Sequence, residues 1–449
     1  MLEDAARALR LHTPKGDADA LALSNDLLER DPMNGDAMFL AGTALHRMKQ
    51  NGLSALILNA ASQLRPEQAA VWNNLGCALQ EWRPKDAVAV FSEALDREPD
   101  NIEARKNLAA VLGRIGRRDE AIALGKQLRK DMPDDLDVPY NLALDLLHTA
   151  DWDAAFEAYQ YSEGNEQRTV RNYHQDKETP RWDGTDTGET VVIYGEQGVG
   201  DEILASVAFQ AAISNCPDTN FIIECDKRLE SLFRRSFPDA TVYGTRSRGA
   251  LDWPLHEQPD ASIIAMANFG YFTPAGVKAA PWLIPDPVLV AMFKDYLAKL
   301  GDGPKIGLSW SGGATDWDRA ERTIDPNVLG PIMTTPNAVV VSLEYADGPS
   351  PEGIHEITWA TRKGVDLDVT AALVAALDVV ISVPQTVCDI AGAVGTPLIA
   401  LVAENAPWRF AEAAGDAWVW ENCKTYRRAP GSTSWMSTIV KVARDYRGL

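Results

Sequence analysis

Apolar and polar residues follow two different periods along this chain of 449 residues. In roughly the first third, apolar positions recur every three or four residues in consecutive helix-length segments. From residue 189 onward, short β-branched runs alternate with helical segments. The runs lie at 191–194, 220–225, 306–310, 339–343, 379–383 and 398–402. Strands that alternate with helices predict parallel sheets, so the pattern predicts an all-α region followed by an α/β region.

The helical region is built from a repeat. Pro32, Pro66, Pro99 and Pro133 are separated by 34, 33 and 34 residues, and each follows the apolar end of a predicted helix. A fixed period of this length predicts helical units that bury their apolar faces only by stacking on one another. The repeats fade before the polar stretch 166–188, whose glycines and proline predict a linker.

These repeats resemble the tetratricopeptide repeat family. The family's pattern of Trp, Leu-Gly, Ala and Pro is met by Trp72, Leu75-Gly76, Ala87 and Pro99. The resemblance implies a tetratricopeptide repeat array over residues 1–165, and the concave face of such an array usually binds an extended protein partner.

Three asparagines point to the kind of partner. Asn74, Asn107 and Asn141 occupy one position in three successive repeats, 33 and 34 residues apart, so we expect a ladder along the inner face. Because an amide both donates and accepts, a ladder can bind the backbone of an extended peptide with little regard to its sequence. A similar ladder is a feature of the O-linked N-acetylglucosamine transferases. The asparagines are interpreted equally well as residues that pack one helix on the next.

The α/β region opens with a strand, a glycine loop and an apolar segment with helical spacing over 203–213. The loop residues are Gly195, Glu196, Gln197, Gly198 and Gly200, with Asp201 at the mouth of the turn. Glycines permit positive φ and close approach to the backbone, and N–H groups at a helix start attract an anion. The loop fits neither the P-loop nor the dinucleotide fingerprint. Asp201 is interpreted either as a reactive carboxylate or as the cap of its helix.

The α/β region is predicted to form two lobes, at 189–300 and 301–449. The second lobe begins as the first does, with a strand that runs into Ser311-Gly312-Gly313 and presents free backbone donors. Arg322 follows and is near enough in sequence to reach the same anion, since arginine suits phosphate oxygens. Two such lobes leave a cleft at the carboxyl ends of their strands, where ligands bind in open α/β folds.

Several short sequence segments of the α/β region resemble a second family. They are Gly195-Glu-Gln-Gly-Val-Gly-Asp201, Trp310-Ser-Gly-Gly, Ala375-Ala-Leu-Asp-Val-Val-Ile-Ser382, Ala391-Gly-Ala-Val-Gly-Thr-Pro397 and Ala406-Pro-Trp-Arg409. In these segments and in the repeats before them, the chain resembles the bacterial repeat-fused glycosyltransferases, which are related to the heptosyltransferase and O-linked N-acetylglucosamine transferase groups. The resemblance implies a GT-B fold of two Rossmann-like lobes after an all-α solenoid.

The resemblance also implies roles for individual residues. Because the nucleotide-sugar donor of that family lies on the second lobe, donor binding is implied for Ser311, Gly312, Gly313, Arg322, Gln385, Thr386 and Asp389. Asp201 matches the carboxylate assigned as general base, which takes the proton of the acceptor hydroxyl while helix-start donors stabilise the departing phosphate. Neither a metal nor another cofactor is implied. Asp389 is interpreted equally well as complementing its helix dipole, and Arg409 as an ion pair between the lobes or a cleft residue.

The chain departs from the family at one motif. In the His-Thr-Thr-x-x-Asp pattern of the O-linked N-acetylglucosamine transferases, Thr386 and Asp389 are retained, but Pro384 replaces the histidine. Two outcomes stay open: a transferase with a different donor, and a module that has lost catalysis.

The net charge and the cysteines exclude some classes of function and site. A net charge of -21 argues against a nucleic-acid surface, which needs clustered basic residues. Five dispersed cysteines without C-x-x-C spacing suit a reducing compartment and predict neither a zinc site nor disulfides. The chain has no long apolar run and its first ten residues lack the features of a secretion signal, so we expect a cytoplasmic protein without a transmembrane segment.

We therefore expect a metal-independent GT-B glycosyltransferase that moves a sugar from a nucleotide-sugar to Ser or Thr hydroxyls of a protein held by the repeat arm. The resemblance favours a flagellin-type acceptor. One alternative is a non-catalytic scaffold or adaptor with a degenerate glycosyltransferase module, which the missing histidine favours. A second alternative is a transferase acting on a cell-surface glycan or a lipid-linked acceptor. The asparagine ladder disfavours this alternative, because such a ladder suits a peptide.

Overall fold

A computed structural model of the chain describes residues 1–161, 173–174, 178–195, 198–247, 250–251, 258–273, 278–313, 316–345, 350–362, 364–404, 406–411 and 419–447. The described residues form two compact units, of which the first is Met1–Asp145 and the second begins at Leu146. Among these residues, no helix is both long and apolar enough to cross a membrane.

The first unit is a succession of helices joined by short turns. The helices are α1 Leu2–Leu9, α2 Pro14–Arg30, α3 Gly35–Arg47, α4 Asn51–Leu64, α5 Ala69–Leu79, α6 Pro84–Arg97, α7 Ile102–Arg114, α8 Arg118–Asp131 and α9 Asp137–His148. Local signals set their starts: Asn34 and Asn101 cap α3 and α7, each accepting a 3.0 Å hydrogen bond from the N–H three residues further on. Successive helices pack on one another, and the predicted helical repeat is confirmed.

Helices α5 and α6 show why the repeat pattern contains a glycine. Phe91 of α6 is fully buried in a cluster with Leu58, Leu75 and Ala87. A Cβ atom on Gly76 of α5 would lie 2.5 Å from the Phe91 ring. The close approach of the two helices therefore requires glycine at this position.

The second unit contains two sheets. The strands of the first are β1 Thr190–Tyr194, β2 Asn220–Asp226, β3 Thr241–Ser247, β4 Ala250–Leu251 and β5 Ala261–Ile264, in the order β4-β3-β2-β1-β5. Those of the second are β6 Lys305–Ser309, β7 Val339–Ser342, β8 His355–Glu356, β9 Val379–Ser382, β10 Leu398–Val402 and β11 Cys423–Arg427, in the order β11-β10-β9-β6-β7-β8. The described strands pair in parallel except for β3 with β4.

Helices flank both sheets. They are α10 Trp152–Tyr161, α11 Val199–Ala205, α12 Phe209–Asn215, α13 Glu230–Ser236, α14 Ala265–Phe272, α15 Pro287–Leu300, α16 Asp316–Arg322, α17 Gly330–Met333, α18 Thr358–Thr361, α19 Leu367–Ala375, α20 Thr386–Val394 and α21 Met436–Arg447. Beneath them, the second sheet contributes a core in which Ile306, Leu308 and Ile381 are fully buried.

The predicted α/β region with parallel sheets is confirmed, and two details differ from the sequence prediction. The helix predicted over 203–213 begins earlier, at Val199, and a 3-10 turn at Ser206–Ala208 separates α11 from α12. Gly200 and Asp201 therefore lie inside the first helical turn. The six predicted runs also leave out strands β3, β4, β5, β8 and β11. In β3 the sequence Thr-Val-Tyr-Gly-Thr-Arg-Ser interrupts the apolar pattern with glycine and arginine. Part of the predicted linker lies outside the described residues.

Candidate functional site

The first turns of α11 and α20 meet in the second unit. Helix α11 follows β1 and carries Asp201, and α20 follows β9 and carries Asp389. Between them lies Gly200, where a Cβ atom would stand 2.6 Å from a carboxylate oxygen of Asp389. Gly200 is needed because a side chain would collide with Asp389. A positive φ is not the reason for the loop glycines, since Gly195, Gly198 and Gly200 do not adopt one. Glu196 and Gln197 of the predicted loop lie outside the described residues.

Arg409 joins the two aspartates. Its guanidinium donates to Asp389 Oδ1 at 2.8 Å and to Asp201 Oδ1. The side chains of Asp389 and Arg409 are only 4% and 13% exposed, while that of Asp201 is 24% exposed, so a buried ion pair shares its cation with a half-buried carboxylate. The two interpretations of Arg409 thus coincide, since it makes an ion pair between the predicted lobes and lies beside the predicted site residues.

The cluster shifts the pKa values of Asp389 and Arg409. Burial raises the pKa of Asp389 to about 7, Arg409 opposes the rise, and the charge of Asp201 adds to it. Burial alone would lower the pKa of Arg409, but the carboxylates of Asp389 and Asp201 outweigh burial and raise it. Groups whose pKa values are strongly perturbed in a charged cluster are candidates for a functional site.

Asp201 also caps its own helix. Its second carboxylate oxygen, Oδ2, accepts a 3.2 Å hydrogen bond from the backbone N–H of Gly198. The capping role proposed from the sequence is therefore present in the structure. The role of Asp201 as a base stays a prediction.

The backbone at the end of β6 contains a second cluster of donors. The N–H groups of Trp310 and Ser311 donate to Glu344 Oε1 at 2.5 and 2.9 Å. The hydroxyl of Ser309 donates to the same oxygen at 2.5 Å, and the hydroxyl of Ser311 donates to Oε2. Gln385 in turn donates to the Ser309 hydroxyl. Glu344 thus engages Ser311, the first of the three residues whose donors are predicted from the sequence to bind a phosphate, together with its neighbours Ser309 and Trp310.

The remaining predicted donor-binding residues lie close to both clusters. Gly313 has a φ of +110°, a conformation that L side chains rarely adopt, and Gly312 approaches the carbonyl oxygen of Pro384. Arg322 pairs with Asp318 at 3.4 Å. Burial lowers the pKa of Arg322, Asp318 opposes this, and the nearby charge of Arg409 adds to it.

A cavity of about 220 Å³ lies at the carboxyl ends of β7 and β9. Thr386 and Gln385 at the start of α20 line it, and so do the side chains of Arg228, Arg362 and Tyr345. Arg362 is exposed, whereas Arg228 pairs with both oxygens of Asp226 at 2.9 and 3.0 Å. The cavity therefore combines two cations, an aromatic ring and a helix start, which suits an anionic ligand with a flat ring.

Sequence reasoning missed four of these residues. Glu344 carried one signal, because it is an acidic residue directly after a buried apolar run. Arg228, Arg362 and Tyr345 carried none, since each lies in a loop or 3-10 turn without a motif. Among the described residues, no cluster of three or more histidines, cysteines or carboxylates is arranged to hold a metal ion.

The predicted asparagine ladder lies in the first unit, on α5, α7 and α9. Asn74 donates to the Thr43 hydroxyl at 2.9 Å, and Asn107 donates to the Asn73 side chain at 3.1 Å. Both bonds join a repeat to the one before it. The helix-packing interpretation is thus present for these two residues, while their half-exposed side chains leave peptide binding as a prediction.

Comparisons with known proteins support the presence of helical repeats in the first unit. The family profile described as tetratricopeptide repeat matches residues 78–144. The chain carries tetratricopeptide repeats. It is also homologous to Protein FlbA of Caulobacter vibrioides, with 30% identity over 391 residues that cover 80% of this chain and 64% of FlbA. The chain thus spans less than two thirds of this relative.

Solved repeat proteins are similar to about a third of the chain. YrrB, described as a tetratricopeptide repeat protein with an unusual peptide-binding site, is 22% identical with a TM-score of 0.31, over 34% of this chain and 80% of YrrB. MamA from Desulfovibrio magneticus RS-1 is 16% identical with a TM-score of 0.33, over 35% of this chain and 88% of MamA.

Proposed function

We propose that this chain is a glycosyltransferase of the GT-B type that moves a sugar from a nucleotide-sugar to a Ser or Thr hydroxyl of a protein. The observation that carries the proposal is the cavity at the carboxyl ends of β7 and β9, lined by Arg228, Arg362, Tyr345, Gln385 and Thr386. Such a position is the usual ligand site of an open α/β sheet. Arginines and a helix start suit phosphates, and the tyrosine ring suits a base.

The buried charge cluster supplies the chemistry in this proposal. Thr386 lines the cavity and Asp389 lies one helical turn further along α20, so the cluster borders the ligand site. Arg322 and Arg409 would stabilise the negative charge of the departing phosphate, and Asp201 would accept the proton of the acceptor hydroxyl. Every group named here belongs to the chain itself, and no metal is part of the proposal.

The protein acceptor is proposed from the repeats, because repeat arrays commonly bind extended partners on one face. The preference for a flagellin-type acceptor rests on the resemblance of the sequence to the repeat-fused transferases. Replacing Asn74, Asn107 and Asn141 together by Ala in the full chain should weaken binding of an unfolded acceptor segment at least tenfold. Unchanged binding would assign these asparagines to packing alone.

Calorimetric titration with UDP, GDP and CMP tests the donor site. One nucleotide should bind selectively, and Arg362→Ala should weaken it at least tenfold, because this arginine lines the cavity and is exposed enough for its loss not to unfold the protein. Arg444→Ala, which removes a cation that is 75% exposed, is the matched control. Absence of binding by all three nucleotides would argue against a transferase.

The catalytic role of Asp201 is tested with Asp201→Asn, which keeps an oxygen that can accept the hydrogen bond from the N–H of Gly198. The variant should bind nucleotide as the wild type does but lose sugar transfer by a factor of about 100 or more. Transfer at the wild-type rate by the folded variant would remove Asp201 from the mechanism.

A non-catalytic adaptor is the second candidate, and specific contacts favour it. Both oxygens of Asp201 are engaged, by Arg409 and by the N–H of Gly198. The donors at the end of β6 are engaged by Glu344. An adaptor of this kind would bind its protein partner with the same affinity whether or not nucleotide is present, and it would show no transfer with any donor.

A further inference from the structure

The end of β6 presents the donors of an anion site, and the chain supplies the anion. Two backbone N–H groups and two hydroxyls, from Ser309, Trp310 and Ser311, all donate to the carboxylate of Glu344. Hydrogen bonds to a charged acceptor are about twice as strong as neutral ones, so this is a firmly held carboxylate. We call these four donors and Glu344 the β6 nest.

The β6 nest and the cavity are neighbouring but separate sites. Leu343 and Tyr345 line the cavity, whereas Glu344 between them is engaged with Trp310 and Ser311. Gln385 belongs to both, because it lines the cavity and donates to the Ser309 hydroxyl of the nest. A ligand in the cavity therefore lies near the nest without having access to its donors.

A phosphate cannot share the nest with this carboxylate. Its oxygens need the same N–H groups and hydroxyls, and two like charges a few ångströms apart repel one another in a partly solvated site. Among the described residues that line the cavity, the cations are Arg228 and Arg362. The anionic part of a ligand is thus repelled on one side of the cavity and attracted on the other.

We propose that Glu344 is an internal anion that closes the β6 nest to phosphate and so determines which residues bind the anionic group of the ligand. That group lies at Arg228 and Arg362 in the cavity, and not on the N–H groups of Trp310 and Ser311. In this respect the inference refines the donor site of the proposed function and rests on it. The exclusion of phosphate from the nest, however, depends only on the contacts of Glu344.

Binding of inorganic pyrophosphate tests the exclusion, because this probe needs neither a base nor a sugar. The wild type should bind it weakly, and Arg362→Ala should abolish that binding. Glu344→Gln, which has nearly the same shape and lacks the charge, should bind pyrophosphate at least tenfold more tightly. This gain should persist when Arg362→Ala is added, because the new site is the nest.

Two results would overturn the proposal: an unchanged or lower affinity in Glu344→Gln, or a gain that disappears with Arg362→Ala. Glu404→Gln is the matched control, since Glu404 accepts from the N–H of Gly431 at 3.2 Å elsewhere in the second unit. An equal gain in the control would assign the effect to net charge and also overturn the proposal.

A measurement on the wild-type protein tests the proposal even if the Glu344→Gln variant does not fold. Amide hydrogen exchange of Trp310 and Ser311 should not change when pyrophosphate is added, because Glu344 already engages both N–H groups. New protection at either amide would overturn the proposal. If Glu344→Gln gains pyrophosphate binding while no nucleotide binds the wild type, the inference stands and the proposed function fails.

Discussion

The two units of the molecule use charged residues in opposite ways. In the repeat array, an ion pair such as Arg114 with Glu81, whose side chains are 31% and 38% exposed, joins one repeat to a neighbour. In the α/β unit, Arg409 and Asp389 are buried together, and the cluster is not part of any repeat. Exposed pairs contribute little each, whereas a buried cluster is costly to break. The comparison therefore favours the α/β unit as the place of the proposed chemistry and assigns the charges of the array mainly to solubility and register.

The largest expected effect follows from removing the shared cation. Arg409→Met leaves Asp389 buried without its partner, and breaking a buried pair from one side costs about 3 to 5 kcal/mol. We expect a loss of this size in the free energy of unfolding of the α/β unit, measured by urea denaturation at pH 8.

The matched change in the array is Arg117→Met. Arg117 pairs with Glu120, and the two side chains are 46% and 56% exposed. Its unfolding curve should coincide with that of the wild type within error. A large loss in this variant, or none in Arg409→Met, would break the contrast between the two units.

The next effect depends on pH and concerns one exception in the array. Burial raises the pKa of Asp145 to about 6, against the effect of Arg118, which pairs with it at 2.6 Å. The folded state therefore binds this proton more tightly than the unfolded state does. The resulting contribution to the free energy of unfolding is fully present below about pH 4 and is lost as the pH rises through 6. A shift of about two units corresponds to about 3 kcal/mol.

Asp145→Asn should remove this dependence. The free energy of unfolding of the wild type, relative to the variant, should fall by about 3 kcal/mol between pH 4 and pH 7. For Asp389 the same loss should extend to a higher pH, because its pKa is about 7. Parallel pH profiles for Asp145→Asn and the wild type would contradict the prediction.

The sequence predicts the array well because its contacts recur along the chain. The prolines recur at the period of the repeat. The Leu75-Gly76 step marks a packing contact between Gly76 and Phe91, which are only about fifteen residues apart. Strands β1, β2, β6, β7, β9 and β10 are likewise visible as local apolar runs. Both signals depend on neighbours in sequence.

The candidate site is only partly visible because its contacts are distant in sequence. Asp201 and Arg409 are 208 residues apart, and Arg409 is 20 residues from Asp389. Patterns can name each residue, but they do not show that one guanidinium joins both carboxylates. Glu344 is a stronger example, since a glutamate after a strand gives no sign that it will engage donors 33 to 35 residues earlier.

The smallest expected effect tests how closely the two helices of one repeat, α5 and α6, are packed. Gly76→Ala puts a methyl group 2.5 Å from the ring of Phe91, which is fully buried and cannot move aside without disturbing its cluster. Overpacking of this kind costs about 1 to 3 kcal/mol.

Gly52→Ala is the matched control, because no atom lies within 4 Å of the added methyl group and the residue is exposed on α4. Alanine favours a helix over glycine, so this variant should gain up to about 1 kcal/mol. Thermal unfolding should therefore move in opposite directions for the two substitutions. If both variants gained stability, helices α5 and α6 would be able to move apart at little cost, and this repeat would be a looser structure than its buried Phe91 indicates.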